Sequence, residues 1–150
     1  MTLEEKIREV LGANDVDYQV YEHEPVYTNP AMAQALGVAE AETVKSLVLK
    51  TKEGRLIVVV LPGDKKMDWK KAAAAAGTKK VSFAKEDEVS RAVGCEVGCV
   101  PPFGHVTELP VYLDRDLTRR SHVYFNPGVH HRSFRVSSRD LKRLCNPTLL

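Results

Sequence analysis

The chain has 150 residues, of which 43% are hydrophobic and 28% charged, and its formal net charge is +2. One domain spanning residues 1–150 is expected, long enough to bury roughly 70% of the surface its unfolded form exposes without help from disulfides or metal. The charge falls short of the excess that a DNA-scanning protein carries, and no apolar run approaches the ~20 residues of a membrane span.

The first residues, Met1-Thr2-Leu3-Glu4-Glu5-Lys6, lack the basic-then-apolar layout of a signal peptide. The expected location is the cytoplasm, and Cys95, Cys99 and Cys145 are expected as free thiols. Residues 2–12 read as a helix, with Thr2 and Glu5 at capping-box spacing and Leu3, Ile7, Val10 and Leu11 on one face. Residues 18–21 alternate like a short strand. Asn29-Pro30 predicts a helix start with Asn29 as cap, and Gly37 its end.

The clearest hairpin joins Val44–Thr51 to residues 55–61, where an unbroken apolar run from Leu56 to Leu61 predicts a central strand buried on both faces. Residues 68–76 read as an alanine-rich helix capped by Asp68 and ended by Gly77. A strand over 80–83 and a charged helix over 85–93 follow. Residues 94–104 hold three glycines and two prolines, too many for helix or regular strand. Short strands at Val111–Leu113, 123–125 and 133–136 precede a last helix over 139–144 with Ser137 as cap. Helices and strands mix without strict βαβ alternation. This predicts an α+β domain with a mainly antiparallel, strongly curved sheet flanked by helices.

Three features could carry chemistry. The 94–104 loop is either a stiff connector or a rigid cradle whose N–H groups face a ligand, an oxyanion or a water. Lys45, opening the hairpin strand, is either a solvated edge charge or a cation over a cleft, suited to a phosphate. The histidines His23, His105, His130 and His131 adjoin turn signals. Cys95, Cys99, His105 and His130 make a poor zinc set, because Cys-x3-Cys has no second clustered pair. No Gly-x-Ser-x-Gly, Walker loop or dinucleotide fingerprint occurs. Lys65-Lys66 and Lys70-Lys71 form a basic patch, either a solvated helix face or a contact for an RNA backbone.

In order along the chain, Tyr21-Glu22-His23-Glu24-Pro25-Val26-Tyr27-Thr28, the lysine of Val44-Lys45-Ser46-Leu47-Val48-Leu49, Pro62-Gly63-Asp64, and Gly98-Cys99-Val100-Pro101-Pro102 running into Phe103-Gly104 resemble the YbaK and prolyl-tRNA-synthetase-associated editing domains. The resemblance covers nearly the whole chain. It implies an α+β domain around a mixed, barrel-like sheet. The implied activity is trans-editing, the hydrolysis of the ester that joins a wrong, small amino acid such as Ala or Cys to the 3′ acceptor end of tRNA(Pro). The implied hydrolase is metal-independent and needs no cofactor. Its partner is aminoacyl-tRNA, with prolyl-tRNA synthetase a further candidate.

The resemblance implies catalytic roles for Lys45, Gly98 and Cys99. It implies substrate contacts for Tyr21, His23, Thr28, Ser46, Pro101, Pro102, Phe103, Gly104 and His130. Two positions depart from subgroup patterns: Ser46 where some alanine editors carry Asn, and Gly98-Cys99 where some cysteine editors carry Gly-Gly. A cysteine in that loop would narrow the pocket and favour a small amino acid. The alternative is a non-catalytic tRNA- or synthetase-binding module of the same fold.

Overall fold

The computed structural model describes residues 1–150. In chain order the elements are α1 (Leu3–Ala13), β1 (Gln19–Glu22), α2 (Asn29–Leu36), a 3-10 turn (Glu40–Glu42), β2 (Val44–Thr51), β3 (Leu56–Pro62), α3 (Trp69–Ala75), β4 (Val81–Phe83), α4 (Glu86–Val93), β5 (Val111–Leu113), α5 (Arg115–Thr118), β6 (His122–Phe125), β7 (Arg132–Ser137), α6 (Ser138–Cys145) and β8 (Thr148–Leu149). No helix is long and apolar enough to cross a membrane.

The helix starts follow local capping chemistry. Thr2 and Glu5 bond each other's backbone N–H at 3.1 Å, closing the predicted capping box. Asp68 caps α3 and Ser137 caps α6. At α2 the cap is Thr28 and not Asn29, since Thr28 Oγ1 accepts from the Ala31 N–H at 3.2 Å. Asn29 thereby becomes the first helical residue. Its carboxamide is free to donate to Thr43 Oγ1 (3.1 Å) and to the Val44 carbonyl (3.2 Å).

The strands form two sheets. One has the order β4-β2-β3-β5-β8, antiparallel among β4, β2 and β3 and parallel from β3 to β5 and from β5 to β8. The other, β1-β7-β6, is antiparallel throughout. A single parallel bridge between Thr43 and Tyr124 joins them, so the surface curves as expected but is not closed into a barrel. The unbroken apolar run of β3 has a direct explanation. Val58 and Val60 point into the main core between the sheets, while Ile57, Val59 and Leu61 point into a second core under α3. Phe125 packs edge-on against both Phe103 and Phe134 in the main core. Losing either fully buried ring, Phe125 or Phe134, would cost about 3–5 kcal/mol.

Two polar contacts fix how the sheets meet. At the departure of β2, the Gly63 N–H donates to the Thr43 carbonyl at 2.8 Å. A Cβ on Gly63 would lie 2.8–2.9 Å from Asn29 side-chain atoms and closer still to Thr43 Oγ1, so only glycine fits this crossing. Elsewhere, Glu4 on α1 accepts from Arg132 on β7 at 2.7–3.0 Å and from Arg8 at 2.9–3.1 Å. Burial alone pushes the Glu4 carboxyl up, but hydrogen bonds from Arg132 and then Arg8 outweigh it and hold the carboxyl below its ordinary value of 4.5.

A depressed carboxylate contributes stability that is complete above its unfolded-state value and lost as pH falls through the folded-state value. Glu4→Gln should therefore destabilise the protein by about 1.5–3 kcal/mol at neutral pH. Urea unfolding at several pH values should show the gap to wild type closing once the pH drops below that ordinary value.

Candidate functional site

One edge of β2 is open over the first half of the strand. This strand pairs with β3 from Val44 to Lys50, but with β4 only from Leu49 to Thr51. Val48 directs its carbonyl to the β4 side, where the Ala84 N–H donates to it at 3.1 Å. By strand periodicity the backbone groups of Ser46 and Val44 face the same way. Asn29 takes the Val44 carbonyl. Ser46 is left at an open edge with no strand opposite it.

A cavity of about 280 Å³ fills this gap. Eleven of its 18 lining residues are hydrophobic, and its walls come from the 26–29 segment, the first half of β2, the end of β4 and the 97–100 part of the glycine loop. Lys45 and Ser46 both line it, as do Thr28 and Gly98. The Lys45 ammonium makes no ion pair or hydrogen bond within the protein; burial pushes its pKa down, against weaker opposing pulls from Asp64 and Glu40. Ser46 Oγ is the one buried side-chain polar atom in the chain without a partner.

The glycine loop is held from behind. His105, buried and with its pKa lowered by that burial, bonds the Pro101 carbonyl through Nε2 at 2.7 Å, and its own carbonyl accepts from Lys6 Nζ at 2.9 Å. Pro101, Pro102 and Phe103 are buried in the packing behind the loop, and Gly104 abuts Ile7. Gly98 has φ +96°, a conformation that side-chain-bearing residues rarely adopt, and its N–H has no acceptor in the protein. Such an N–H, on a cavity wall, can serve a ligand oxygen.

Cys99 is buried and does not line the cavity; its Sγ donates to the Glu96 carbonyl at 3.3 Å. The expected narrowing of the pocket by the Cys99 side chain does not occur. The neighbouring Cys95 holds the Cys99 thiol below its ordinary value, and the same contact, with burial, pushes Cys95 up.

His130 stands behind the cavity wall. Its Nδ1 faces the Val26 carbonyl and its Nε2 faces Glu96, each at 3.2 Å, and a neutral ring can donate to one of them at a time. Its ring lies 4.5 Å from that of Tyr27. His23 and Tyr21 are not brought to the cavity. His23 bonds Ser133 Oγ at 2.7 Å, and Tyr21 pairs with Ser133 across the β1–β7 ladder and packs on Tyr124. No three His, Cys, Asp or Glu side chains converge in a way that could hold a metal ion. Sequence reasoning missed Asn29, Asn126 and Phe83 as wall residues. The Asn29-Pro30 helix-start signal and the Asn126-Pro127-Gly128 turn signal point near two of them.

A family model described as an aminoacyl-tRNA editing domain matches residues 23–144. The chain is 32% identical over 135 residues to the prolyl-tRNA editing protein ProX of Acetoanaerobium sticklandii, covering 86% of this chain and 82% of that one. It is 26% identical over 134 residues to EbsC of Enterococcus faecalis, named as a candidate Cys-tRNA(Pro)/Cys-tRNA(Cys) deacylase, with coverage of 87% and 82%. The crystal structure of a candidate trans-editing enzyme for prolyl-tRNA synthetase superimposes with a TM-score of 0.87 at 28% identity, covering 100% of this chain and 96% of the other. The chain belongs to the aminoacyl-tRNA editing domain family.

Proposed function

We propose that this protein is a trans-editing deacylase that hydrolyses the ester between a small amino acid and the 3′-terminal adenosine of a mischarged tRNA, with tRNA(Pro) the first acceptor to test. The observation that carries the reading is one apolar cavity with an unpaired lysine and a glycine N–H lacking any acceptor on its walls. The relatives, a prolyl-tRNA editing protein and a candidate Cys-tRNA deacylase, support the same substrate class.

The chemistry asks little of side chains. An aminoacyl ester is already activated, so holding it beside a water and offering a donor to the developing oxyanion can suffice. Water adds to the ester carbonyl carbon, the carbonyl oxygen takes negative charge facing the Gly98 N–H, and the carbonyl then re-forms as the bond to the ribose oxygen breaks, that oxygen receiving the proton given up by the attacking water. The products are a free amino acid and a tRNA with its terminal hydroxyls restored. Lys45 binds the terminal phosphate as a compact cation in a partly desolvated site. Ser46, with its backbone carbonyl at the open edge of β2, offers an acceptor for the α-ammonium of the substrate. A cavity of about 280 Å³ lies at the lower end of ligand-pocket sizes and favours a small amino acid such as alanine or cysteine.

A panel of mischarged tRNAs, followed for loss of the aminoacyl group, tests the reading. Lys45→Met is expected to reduce deacylation of the best substrate by about ten- to a hundred-fold, the worth of a charge-assisted contact. Because burial lowers the pKa of Lys45, its charged form costs stability at neutral pH. The thermal midpoint of Lys45→Met, measured by circular dichroism, should therefore hold or rise. A variant that is active, or one that is inactive because it melts early, would count against the assignment.

Gly98→Val addresses the loop. The new Cβ would meet Tyr27 O at 3.6 Å and His130 Cε1 at 3.7 Å, ordinary contacts, so the damage comes from the positive φ. Turning the backbone out of that conformation should abolish hydrolysis at a stability cost of about 1–3 kcal/mol. Cys99→Ala keeps the N–H and should retain activity; a dead Cys99→Ala would instead make the thiol a nucleophile. Deacylation should also persist after exhaustive chelation, since every group in the scheme is backbone, side chain, water or substrate. Zinc-restorable loss would redirect the mechanism to a metallohydrolase.

A further inference from the structure

Tyr27, Trp69 and Phe83 are exposed; two of them meet the cavity, and the third packs against one of those two. Tyr27 and Phe83 line it. Trp69, at the start of α3, stands edge-on to Phe83 with ring centroids 5.0 Å apart and planes at 88°. Trp69 is 41% exposed and Phe83 60% exposed, so the pair is not spent on the core. In register, Phe83 sits opposite Leu49 on β2, which places it on the same strand face as Leu47 and Lys45.

Lys70 follows Trp69 along the chain, and Lys79 and Lys80 lead into β4; all three are exposed, and none is in an ion pair, while Lys66 and Lys71 line a separate cleft with Asp68 and Asp114, and Glu86 adds one acidic group to the cavity wall. Unpaired lysines near solvent-exposed aromatic rings are the combination that binds single-stranded nucleic acid, where bases stack on rings and cations track the backbone. A protein-docking patch would be expected to pair such rings with apolar neighbours and fewer free cations.

Resting on the deacylase reading, we propose that Trp69 and Phe83 form a stacking platform for the unpaired nucleotides just before the terminal adenosine, the CCA end common to tRNAs. The terminal residue would enter the cavity beside Lys45, and the preceding bases would lie against the two rings.

Trp69 is the chain's only tryptophan, so its fluorescence reports this surface alone. Uncharged tRNA(Pro) should quench it saturably, and the same tRNA trimmed of its CCA end should not, while labelled-tRNA anisotropy tracks total binding. Phe83→Leu keeps the reporter and should weaken binding of the intact tRNA about tenfold. In turnover of mischarged tRNA it should raise KM by a similar factor with much less change in kcat. Equal quenching by intact and trimmed tRNA, binding without quenching, or no binding at all would each overturn the platform. So would quenching by purified prolyl-tRNA synthetase in place of tRNA, which would make the patch a protein contact. Uncharged tRNA carries no ester, so quenching without any deacylase activity would leave the platform standing and remove the hydrolase reading.

Discussion

The site depends on where β2 loses its outer neighbour. An antiparallel strand normally satisfies both edges, yet β4 reaches only the last three residues of β2. The first half must be kept open without fraying, and a small polar junction does this. Asn29 clamps Thr43 and the Val44 carbonyl, and Gly63 closes on Thr43 from the other side with no room for a Cβ. Thr43 then bridges to Tyr124 in the second sheet. The strand is therefore fixed from behind at the point where its other edge faces the cavity. Lys45 and Ser46 follow directly after that fixed point. They are positioned by β3 register on one side and have nothing but cavity on the other.

The same logic governs the glycine loop. A backbone donor acts on a developing charge only if it does not reorganise during reaction. Residues 98–104 make few backbone hydrogen bonds of their own, and their rigidity comes from contacts behind them. His105 ties the Pro101 carbonyl, Phe103 packs on Phe125, and Cys145 Sγ donates to the Pro102 carbonyl. Proline and phenylalanine in this stretch serve to hold Gly98 in its positive-φ conformation, whereas the residues that face the cavity are small. Pro101, Pro102 and Phe103 are buried behind the loop, and Val97, Gly98 and Val100 are the residues of this stretch that line the cavity.

Much of this was legible in the sequence because it is local. The capping box at Thr2 and Glu5, the hairpin of β2 and β3, and the Ser137 cap all depend on residues within a few positions of one another. The two-sided burial of β3 was also legible, since a run of six apolar residues has no polar face to give to water. Features set by distant partners were not. Asn29 looked like a cap because Asn often is one, but Thr28 had the better-placed hydroxyl and Asn29 was needed at Thr43. The short helix α5 and the two-residue β8 carry no periodicity to detect, and β8 exists only because β5 offers it an edge. The division into two sheets rests on one bridge, which no sequence pattern encodes. For the site, Lys45 and the glycine loop stood out by residue type. The open edge at Ser46 could not, because it is defined by the absence of a neighbour.

A final constraint connects stability with function. Within one cavity this fold keeps a lysine whose charge is penalised by burial, a serine hydroxyl with no partner and a backbone N–H with no acceptor. The lysine and the serine are unfavourable choices for a protein selected for stability alone, because a buried polar group without a partner costs free energy that an apolar replacement would recover, while the exposed Gly98 N–H is left to water. Their concentration in one place is difficult to explain as packing error when side-chain polar burial elsewhere is satisfied. It follows if a ligand supplies the missing partners, namely an anion for the ammonium, a cationic donor at Ser46 and an oxygen for the N–H. A phosphate, an α-ammonium and an ester carbonyl are three such groups, and the 3′ end of an aminoacyl-tRNA presents all three within one small molecular volume.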